Sequence, residues 1–417
     1  MLPMIYRGHE QAGFFAHALG HNFGERLLTL LPGNQRSDDA RYACLLPVRD
    51  YFRMSGAACL RENAWHYATG LEPEILADMR AGRAVVVFDL SNEGPAYDAA
   101  IFDELYAWME AQRLPAGSVV WLAQNRNMAA SAAAQAGPRA ALVRHDHYDF
   151  FVKAMTYIFS KPVDPVLGSD PAAAAARMFD PASKDSLLLC LNATPRLHRV
   201  LTVAGLIHYG LLAGSQVSFP GLMYDKAGAS MQMVNAFVDR HPSLHYLRPA
   251  LDRVAELADL RVDQFEETGN ALFAKIDARP YERSYFSLVT ETEFTNGSVD
   301  RITEKIAKAF CMGHPTLVIG NPHSLKFMTE LGFQDWTGTM DRSFDAMLDP
   351  AARYDAVFRE VLRQAIGIRM APADWLGRVR EVGGHNIRLS VSGGLMRNYI
   401  ALYDVPVVQR LKAIVGL

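Results

Sequence analysis

The chain has 417 residues, of which 50% are hydrophobic and 21% are charged, and its formal net charge is -3. This length exceeds one ordinary domain, and the apolar content can build a sizeable core, so two folded domains are expected and wholesale disorder is excluded. The small net charge gives no overall attraction to nucleic acid. The four cysteines form no CxxC pair and no zinc-type pattern with histidine, which favours buried thiols in a reducing compartment.

No targeting or membrane-spanning segment is predicted. The stretch MLPMIYRGHEQ lacks a basic region followed by an apolar run, so it does not resemble a signal peptide. Residues 200–219 contain no Asp, Glu, Lys or Arg, but His208, Gln216 and several glycines and serines favour a buried helix followed by a buried strand over a membrane span. We expect a cytoplasmic protein, and peripheral attachment at the inner membrane stays open.

The first half of the chain shows the pattern of a parallel α/β fold. A helix-like stretch covers residues 10–31, and from residue 84 a strand (84–90), a helix (99–113) and a second strand (117–125) follow. Fully apolar strands that alternate with helices indicate a parallel sheet covered on both faces. Residues 1–165 are therefore predicted to form a Rossmann-like domain.

The second half repeats this pattern after a segment rich in Pro, Ala and Asp, which predicts a linker at 166–185. The predicted strands are 186–192, 215–219, 284–290 and 315–320, and the predicted helices are 196–212, 299–311 and 324–332. Residues 186–349 thus predict a second Rossmann-like domain. An amphipathic helix at 350–366 begins a predicted helical extension, 350–417.

Charged residues gather where strand 284–290 ends and the next helix begins. Glu291 and Glu293 follow the strand, and Thr303, Glu304 and Lys305 lie in the first turns of the predicted helix. Unpaired N–H groups at a helix start favour an anion, and a lysine there adds a full positive charge. The simpler interpretation is a solvated helix face, on which helical spacing would place Arg301 beside these residues.

Two arginines begin another helix in the same domain. Arg196 and Arg199 follow strand 186–192 in the segment NATPRLHR. Together with the lysine they predict a clamp for a pyrophosphate, and nearby glutamates suit the hydroxyl groups of a ribose or a sugar. This combination is the one that a nucleotide-sugar requires.

The segment SLVTETEFTNGSVDRITEKIAKAFCMGHPTLVIGNP, residues 287–322, resembles the donor-binding signature of the α-1,3-fucosyltransferases. In that signature a strand ending in Glu precedes a Thr-Glu-Lys helix and a strand that ends in Gly. The resemblance implies a GT-B fold, in which two Rossmann-like domains face a cleft, and a nucleotide-sugar donor without an essential metal. It further implies that Glu304 contacts the donor ribose, Lys305 contacts the phosphates and Glu291 lines the same pocket.

The resemblance gives the phosphate-binding arginine role to Arg196 or Arg199. The Thr-Glu-Lys element also resembles elements of bacterial surface-polysaccharide transferases that use CMP-activated acidic sugars such as Kdo. The donor therefore stays open between GDP-, CMP- and UDP-sugars. No resident cofactor and no metal is expected.

A transferase also needs a carboxylate as general base or nucleophile. Glu93, after strand 84–90, and Asp225, after strand 215–219, are the candidates, and the alternative for Glu93 is a loop acid that caps the next helix. The sequence has no GxxxxGK[ST], no GxSxG and no DxD triplet. Signatures of P-loop NTPases, α/β-hydrolases and metal-dependent transferases are therefore missing.

These observations predict a bacterial glycosyltransferase of surface-polysaccharide synthesis, such as that of lipopolysaccharide. It would move a sugar from a nucleotide-sugar, held by the C-terminal domain, to a glycan or lipid-linked glycan acceptor on the N-terminal domain. A second interpretation is a non-catalytic carbohydrate- or nucleotide-binding protein. A third is a metal-dependent phosphoesterase built on His145 and His147 of RHDHYDF, because residues two apart share one face of a strand.

Overall fold

The computed structural model describes residues 2–6, 27–31, 40–47, 71–160, 166–222, 229–262, 276–295 and 297–417. Two compact units divide the chain. Unit 1 comprises Met1–Ala154, Ser298–Arg301 and Arg397–Leu417, and unit 2 comprises Met155–Gly297 and Ile302–Met396. These bounds differ from the predicted 1–165, 166–185, 186–349 and 350–417, because two later segments return to unit 1.

Unit 1 contains a six-stranded sheet in the order β2-β1-β3-β4-β5-β6, and all its strand pairs are parallel. The strands are β1 (Leu2–Tyr6), β2 (Leu28–Leu31), β3 (Tyr42–Pro47), β4 (Ala84–Leu90), β5 (Val119–Ala123) and β6 (Val143–His147). β4 and β5 are buried along their whole length, as their continuous apolar sequences require. The helix prediction for 10–31 is wrong at 28–31, which form β2, and its residues 10–26 lie outside the described part.

Four helices accompany this sheet in the described part of the chain before residue 160. They are α1 (Pro73–Arg80), α2 (Ala99–Ala111), α3 (Met128–Ala136) and α4 (Phe150–Phe159). The Asp98 side chain caps α2 by accepting the backbone N–H groups of Ala100 and Ile101 at 2.9 and 3.4 Å. Ile101, Phe102 and further apolar residues of α2 then pack into the core of unit 1.

Unit 2 holds a four-stranded sheet in the order β10-β9-β7-β8, again with parallel pairs only. Its strands are β7 (Ser186–Leu191), β8 (Gln216–Ser218), β9 (Ser284–Thr290) and β10 (Thr316–Ile319). The helices are α5 (Pro171–Met178), α6 (Leu197–His208), α7 (Ala229–Arg240), α8 (Arg248–Ala255), α9 (Arg279–Arg283), α10 (Glu304–Cys311), α11 (Lys326–Glu330), α12 (Pro350–Met370) and α13 (Pro372–Val391). The predicted α/β class with parallel sheets is confirmed.

Helix α10 begins at Glu304, five residues later than predicted. Thr303 has an extended backbone and its side chain accepts the N–H of Lys305 at 3.4 Å, so it caps the helix. Arg301 therefore precedes the helix, and it is 5% exposed instead of lying on a solvated face. Apolar spacing alone could not locate this start, because Val299 and Ile302 are buried although they are not helical.

The segment predicted as a linker contains α5, whose Ala174 and Met178 are buried. Farther along, the Arg380 guanidinium of α13 donates to the backbone carbonyl of Phe179 at 3.0 Å. Residues 166–185 are thus part of unit 2. Among the described helices, none has the length and apolar character that a membrane crossing needs.

The end of the chain is not a separate extension. After α13 come α14 (Gly394–Tyr399), a π-helical turn (Ile400–Asp404) and α15 (Val405–Ile414). Asp404 is fully buried in unit 1, where its carboxylate lies 2.5 Å from the Lys153 ammonium and accepts the Tyr148 hydroxyl at 2.8 Å. This buried ion pair ties the tail to α4.

Candidate functional site

The carboxyl ends of β7 and β9 bring most of the predicted donor-binding residues together. Parallel α/β sheets bind ligands at this edge. The Arg196 guanidinium donates to the backbone carbonyl of Thr292 at 3.0 Å, and the Lys305 ammonium lies 3.5 Å from the hydroxyl of the same threonine. Arg199 reaches the adjacent carbonyl of Glu291 at 3.5 Å. Three cations thus surround the two residues that follow β9.

The resemblance implied that Glu291 lines the donor pocket. In the structure its carboxylate faces the start of α10 instead. The side chain is buried, and its Oε1 accepts the backbone N–H groups of Thr303 and Ile306 at 3.4 and 3.3 Å. Its Oε2 accepts the Thr303 hydroxyl at 2.7 Å. A protein carboxylate therefore occupies the anion position at the start of α10. Glu291 is a structural residue that holds the helix against β9.

Glu304 and Lys305 occupy the first two positions of α10 and are partly exposed. The Lys305 ammonium lies 3.1 Å from the Glu304 carboxylate and 3.1 Å from the Thr303 hydroxyl. Burial acts to raise the pKa of Glu304, but the positive charges of Lys305 and Lys308 outweigh it and bring the pKa below its usual value. Glu304 is consequently ionised at neutral pH and can accept hydrogen bonds from hydroxyl groups.

The two arginines differ in environment. Arg196 is partly exposed, whereas Arg199 is 3% exposed and donates to the carbonyl and the hydroxyl of Thr194 at 3.1 and 2.7 Å. Burial, followed by the charge of Arg196, lowers the pKa of Arg199 to about 10, so it stays cationic at neutral pH. Its Nε–H is buried and has no hydrogen-bond partner among the described residues. A buried donor without an acceptor is costly unless a ligand supplies one.

His198 belongs to the same site, although the sequence reasoning missed it. Its Nε2 lies 2.6 Å from the Glu291 carbonyl oxygen, so this nitrogen carries the proton that it donates. Burial, reinforced by the charge of Arg199, holds the pKa of His198 well below its usual value and keeps the ring neutral. Its only signal in the sequence was its place between the two arginines.

The remaining predicted residues are not gathered here. Glu293 lies two residues beyond Glu291 and is partly exposed. Asp225 lies outside the described residues. Two surface pockets of about 410 and 390 Å³ lie elsewhere in unit 2, one beside Val217 and one beside Asp349, and none of the predicted residues lines them.

Glu93 is at the carboxyl end of β4, in unit 1. Its backbone N–H donates to the Leu90 carbonyl at 2.7 Å, and its own carbonyl accepts the N–H of Gln124 at 2.8 Å. The side chain is 22% exposed, and its carboxylate lies 3.5 Å from the Arg301 guanidinium. Since Asp98 caps α2, the alternative role of Glu93 as the cap of the next helix is wrong.

The histidines of β6 lie against aromatic rings, His145 against Phe102 and His147 against Tyr403. In the part of the chain that the structure describes, neither ring nitrogen of His145 has a hydrogen-bond partner, and the ring lies 5.1 Å from that of Phe102 between centroids. Burial lowers the pKa of His145 to about 4 and holds that of His147 well below its usual value. Over the described ranges, no three His, Cys, Asp or Glu side chains are grouped so that they could hold a metal ion.

Comparison of the chain with protein-family models, with curated proteins and with solved structures gave no match.

Proposed function

We propose that this protein is a glycosyltransferase that uses a nucleotide-sugar donor, with its two α/β units arranged as in the GT-B fold. The observation that carries the proposal is the group of three cations, Arg196, Arg199 and Lys305, around residues 291–292. The Glu291 carboxylate is used by the start of α10, and Glu304 is paired with Lys305. The Arg199 Nε–H is buried and has no acceptor among the described residues.

A diphosphate or a phosphate ester fits this group of three cations. Its oxygens accept charge-assisted hydrogen bonds from guanidinium and ammonium groups, which are about twice as strong as neutral ones. Glu304, beside Lys305, would accept the hydroxyl groups of the ribose. The nucleotide class stays open between GDP, CMP and UDP, and the acceptor is a glycan or a lipid-linked glycan of bacterial surface-polysaccharide synthesis.

The chemistry follows from these assignments. The acceptor hydroxyl gives its proton to the Glu93 carboxylate while its oxygen bonds to the anomeric carbon of the donor sugar. The bond between that carbon and the phosphate oxygen breaks, and its electron pair leaves with the phosphate. Arg196, Arg199 and Lys305 stabilise the charge that develops on the leaving group.

The test is a thermal-shift screen against GDP, UDP, CMP, ADP and dTDP, with and without magnesium. A nucleotide at a hundred times its dissociation constant should stabilise the wild-type protein by about 2.7 kcal/mol. Lys305→Met should weaken that nucleotide by roughly 1.5–3 kcal/mol, since a charged hydrogen-bond donor is lost. Lys326→Met is the matched control, because that lysine side chain is 70% exposed on α11.

Each outcome has a distinct meaning. Loss of the shift in Lys305→Met alone supports the donor site. Equal shifts in all three proteins would place the nucleotide elsewhere and remove the assignment of α10. A nucleotide that binds while its nucleotide-sugar is never consumed would instead identify a non-catalytic binding protein.

A further inference from the structure

The segment 298–301, which precedes α10, is held by the loop after β5. Asp300 donates its backbone N–H to the Asn125 side-chain oxygen at 2.9 Å, and its carbonyl accepts the N–H of Arg126 at 2.9 Å. The Asn125 side-chain nitrogen also donates to the Ser298 carbonyl at 3.3 Å. Backbone contacts on both sides of Asp300 therefore fix the point from which the Arg301 side chain emerges.

The Arg301 guanidinium is buried beside Glu93. Its Nη1 lies 3.5 Å from Glu93 Oε2 and 3.4 Å from Gln124 Oε1, and its side chain is only 3% exposed. The Glu93 side chain is 22% exposed, so part of it reaches solvent, whereas the arginine side chain is enclosed. A buried guanidinium stays in place only where acceptors meet it.

Gln124, the residue directly after β5, orients this pair. Its Nε2 donates to Asp149 Oδ1 at 3.1 Å, and the same oxygen accepts the backbone N–H of Val152 at 2.9 Å. Because the amide nitrogen faces Asp149, the amide oxygen faces Arg301. The backbone of Gln124 also fixes that of Glu93 through the 2.8 Å hydrogen bond to the Glu93 carbonyl.

Gly94 leaves room for the arginine. A Cβ atom at this position would lie 2.4 Å from Arg301 Cδ and 3.2 Å from Gln124 Cβ. No side chain fits there without displacing the arginine. The loop after β4 is thus shaped around Arg301 at the residue that follows Glu93.

We propose that Arg301 is a positioning residue for the Glu93 carboxylate in the transfer reaction, an inference that rests on the proposed function. The guanidinium holds one carboxylate oxygen at a fixed place and supplies the opposite charge from a buried position. Arg301 also precedes Glu304 by three residues, so the residue that orients the base lies in the segment that leads into α10, directly before two of the proposed donor-binding residues.

The test compares Arg301→Met and Arg301→Lys with wild type. Nucleotide affinity is measured by calorimetry, and turnover is measured as release of the same nucleotide from its nucleotide-sugar. We expect the affinity of Arg301→Met to stay within about twofold and its turnover to fall about a hundredfold, as small misplacements of a catalytic group do. Arg301→Lys should recover part of the turnover. Arg139→Met, at a 41% exposed arginine of the same unit, should match wild type.

The outcomes separate this inference from the proposed function. Wild-type turnover in a folded Arg301→Met protein overturns the inference and leaves the proposed function standing. If no nucleotide binds to the wild type, the proposed function fails and the inference fails with it. If Arg301→Met does not fold, Arg301→Lys decides, because lysine keeps the charge but is one atom shorter than arginine, so its nitrogen falls short of the position of Nη1, which contacts both Glu93 and Gln124. Full turnover in that variant would contradict the inference.

Discussion

The Glu291 carboxylate accepts the Thr303 hydroxyl at 2.7 Å, which joins the end of β9 to the start of α10. The carboxylate also accepts the backbone N–H groups of Thr292, Thr303 and Ile306, so its removal leaves four donors without this acceptor. We expect Glu291→Ala to lower the free energy of unfolding by about 2–3 kcal/mol, since buried donors without acceptors are costly. Urea unfolding measures this loss.

Glu381→Ala, at an exposed glutamate of α13, is the control for that experiment and should change stability by less than about 0.5 kcal/mol. Glu291→Gln keeps one acceptor oxygen and should lie between the two. Unchanged stability of Glu291→Ala combined with loss of nucleotide affinity would instead restore the role that the resemblance gave to Glu291, a contact with the sugar.

Substitutions of Arg196 and Arg199 should differ in their effects on nucleotide affinity and on stability. Arg196 is partly exposed and donates to the Thr292 carbonyl, so Arg196→Gln should weaken nucleotide binding about tenfold and change stability by less than about 0.5 kcal/mol. Arg199 is buried and bonds to Thr194 and to Glu291, so Arg199→Gln should also lower the free energy of unfolding by about 1–3 kcal/mol. Calorimetric titration and urea unfolding of both variants test this. A stable Arg199→Gln with wild-type affinity would exclude Arg199 from the site.

Local patterns were enough to predict the central strands and to place Arg196, Glu304 and Lys305 at one edge of a sheet. Strand β4 coincides with the predicted 84–90, because a parallel strand buried on both faces must be apolar throughout. Arg196, Glu304 and Lys305 could be placed together because each follows a strand whose end lies at the same sheet edge. Their roles could not be separated, since burial and hydrogen-bond partners depend on tertiary contacts.

Contacts between residues far apart in the chain could not be predicted from the sequence. Lys153 and Asp404 are 251 residues apart, and no local pattern relates them. Arg301 appeared helical because a residue before a helix start can share its spacing, and only the cap at Thr303 shows otherwise. The sequence also could not show that His145 is buried and neutral. A histidine on a strand gives the same local pattern whether its ring binds a metal or packs against a phenylalanine.

The buried state of His145 makes stability depend on pH. Its folded-state pKa of about 4 lies below its ordinary value, so the unfolded chain binds more protons between these values. Stability from this residue is therefore present above pH 6.5 and is lost as the pH falls to about 4, by up to about 3 kcal/mol. His145→Phe should remove that part of the loss, measured by urea unfolding at pH 7 and pH 4.5.

His245→Gln, at an exposed histidine of unit 2, is the control and should keep the wild-type pH dependence. The same comparison tests the phosphoesterase interpretation. Zinc that stabilises the wild type but not His145→Phe would show that His145 binds metal, and would contradict its assignment as a buried neutral ring.

Substitutions in the ion pair between Lys153 and Asp404 test whether the end of the chain, residues 397–417, stabilises unit 1. Both side chains are buried, and burial lowers the pKa of Lys153 although Asp404 opposes it. Asp404→Asn leaves the ammonium without its counter-ion and should lower the free energy of unfolding by about 3–5 kcal/mol. The double variant Lys153→Met/Asp404→Leu should lose less stability, because it buries no unpaired charge, although the Tyr148 hydroxyl loses Asp404 as its acceptor. Asp239→Asn, in an exposed pair with Arg248, should cost no more than about 1 kcal/mol. If Asp404→Asn were as mild as this control, the contacts of Tyr399 with Asp149, and not the ion pair, would anchor the tail.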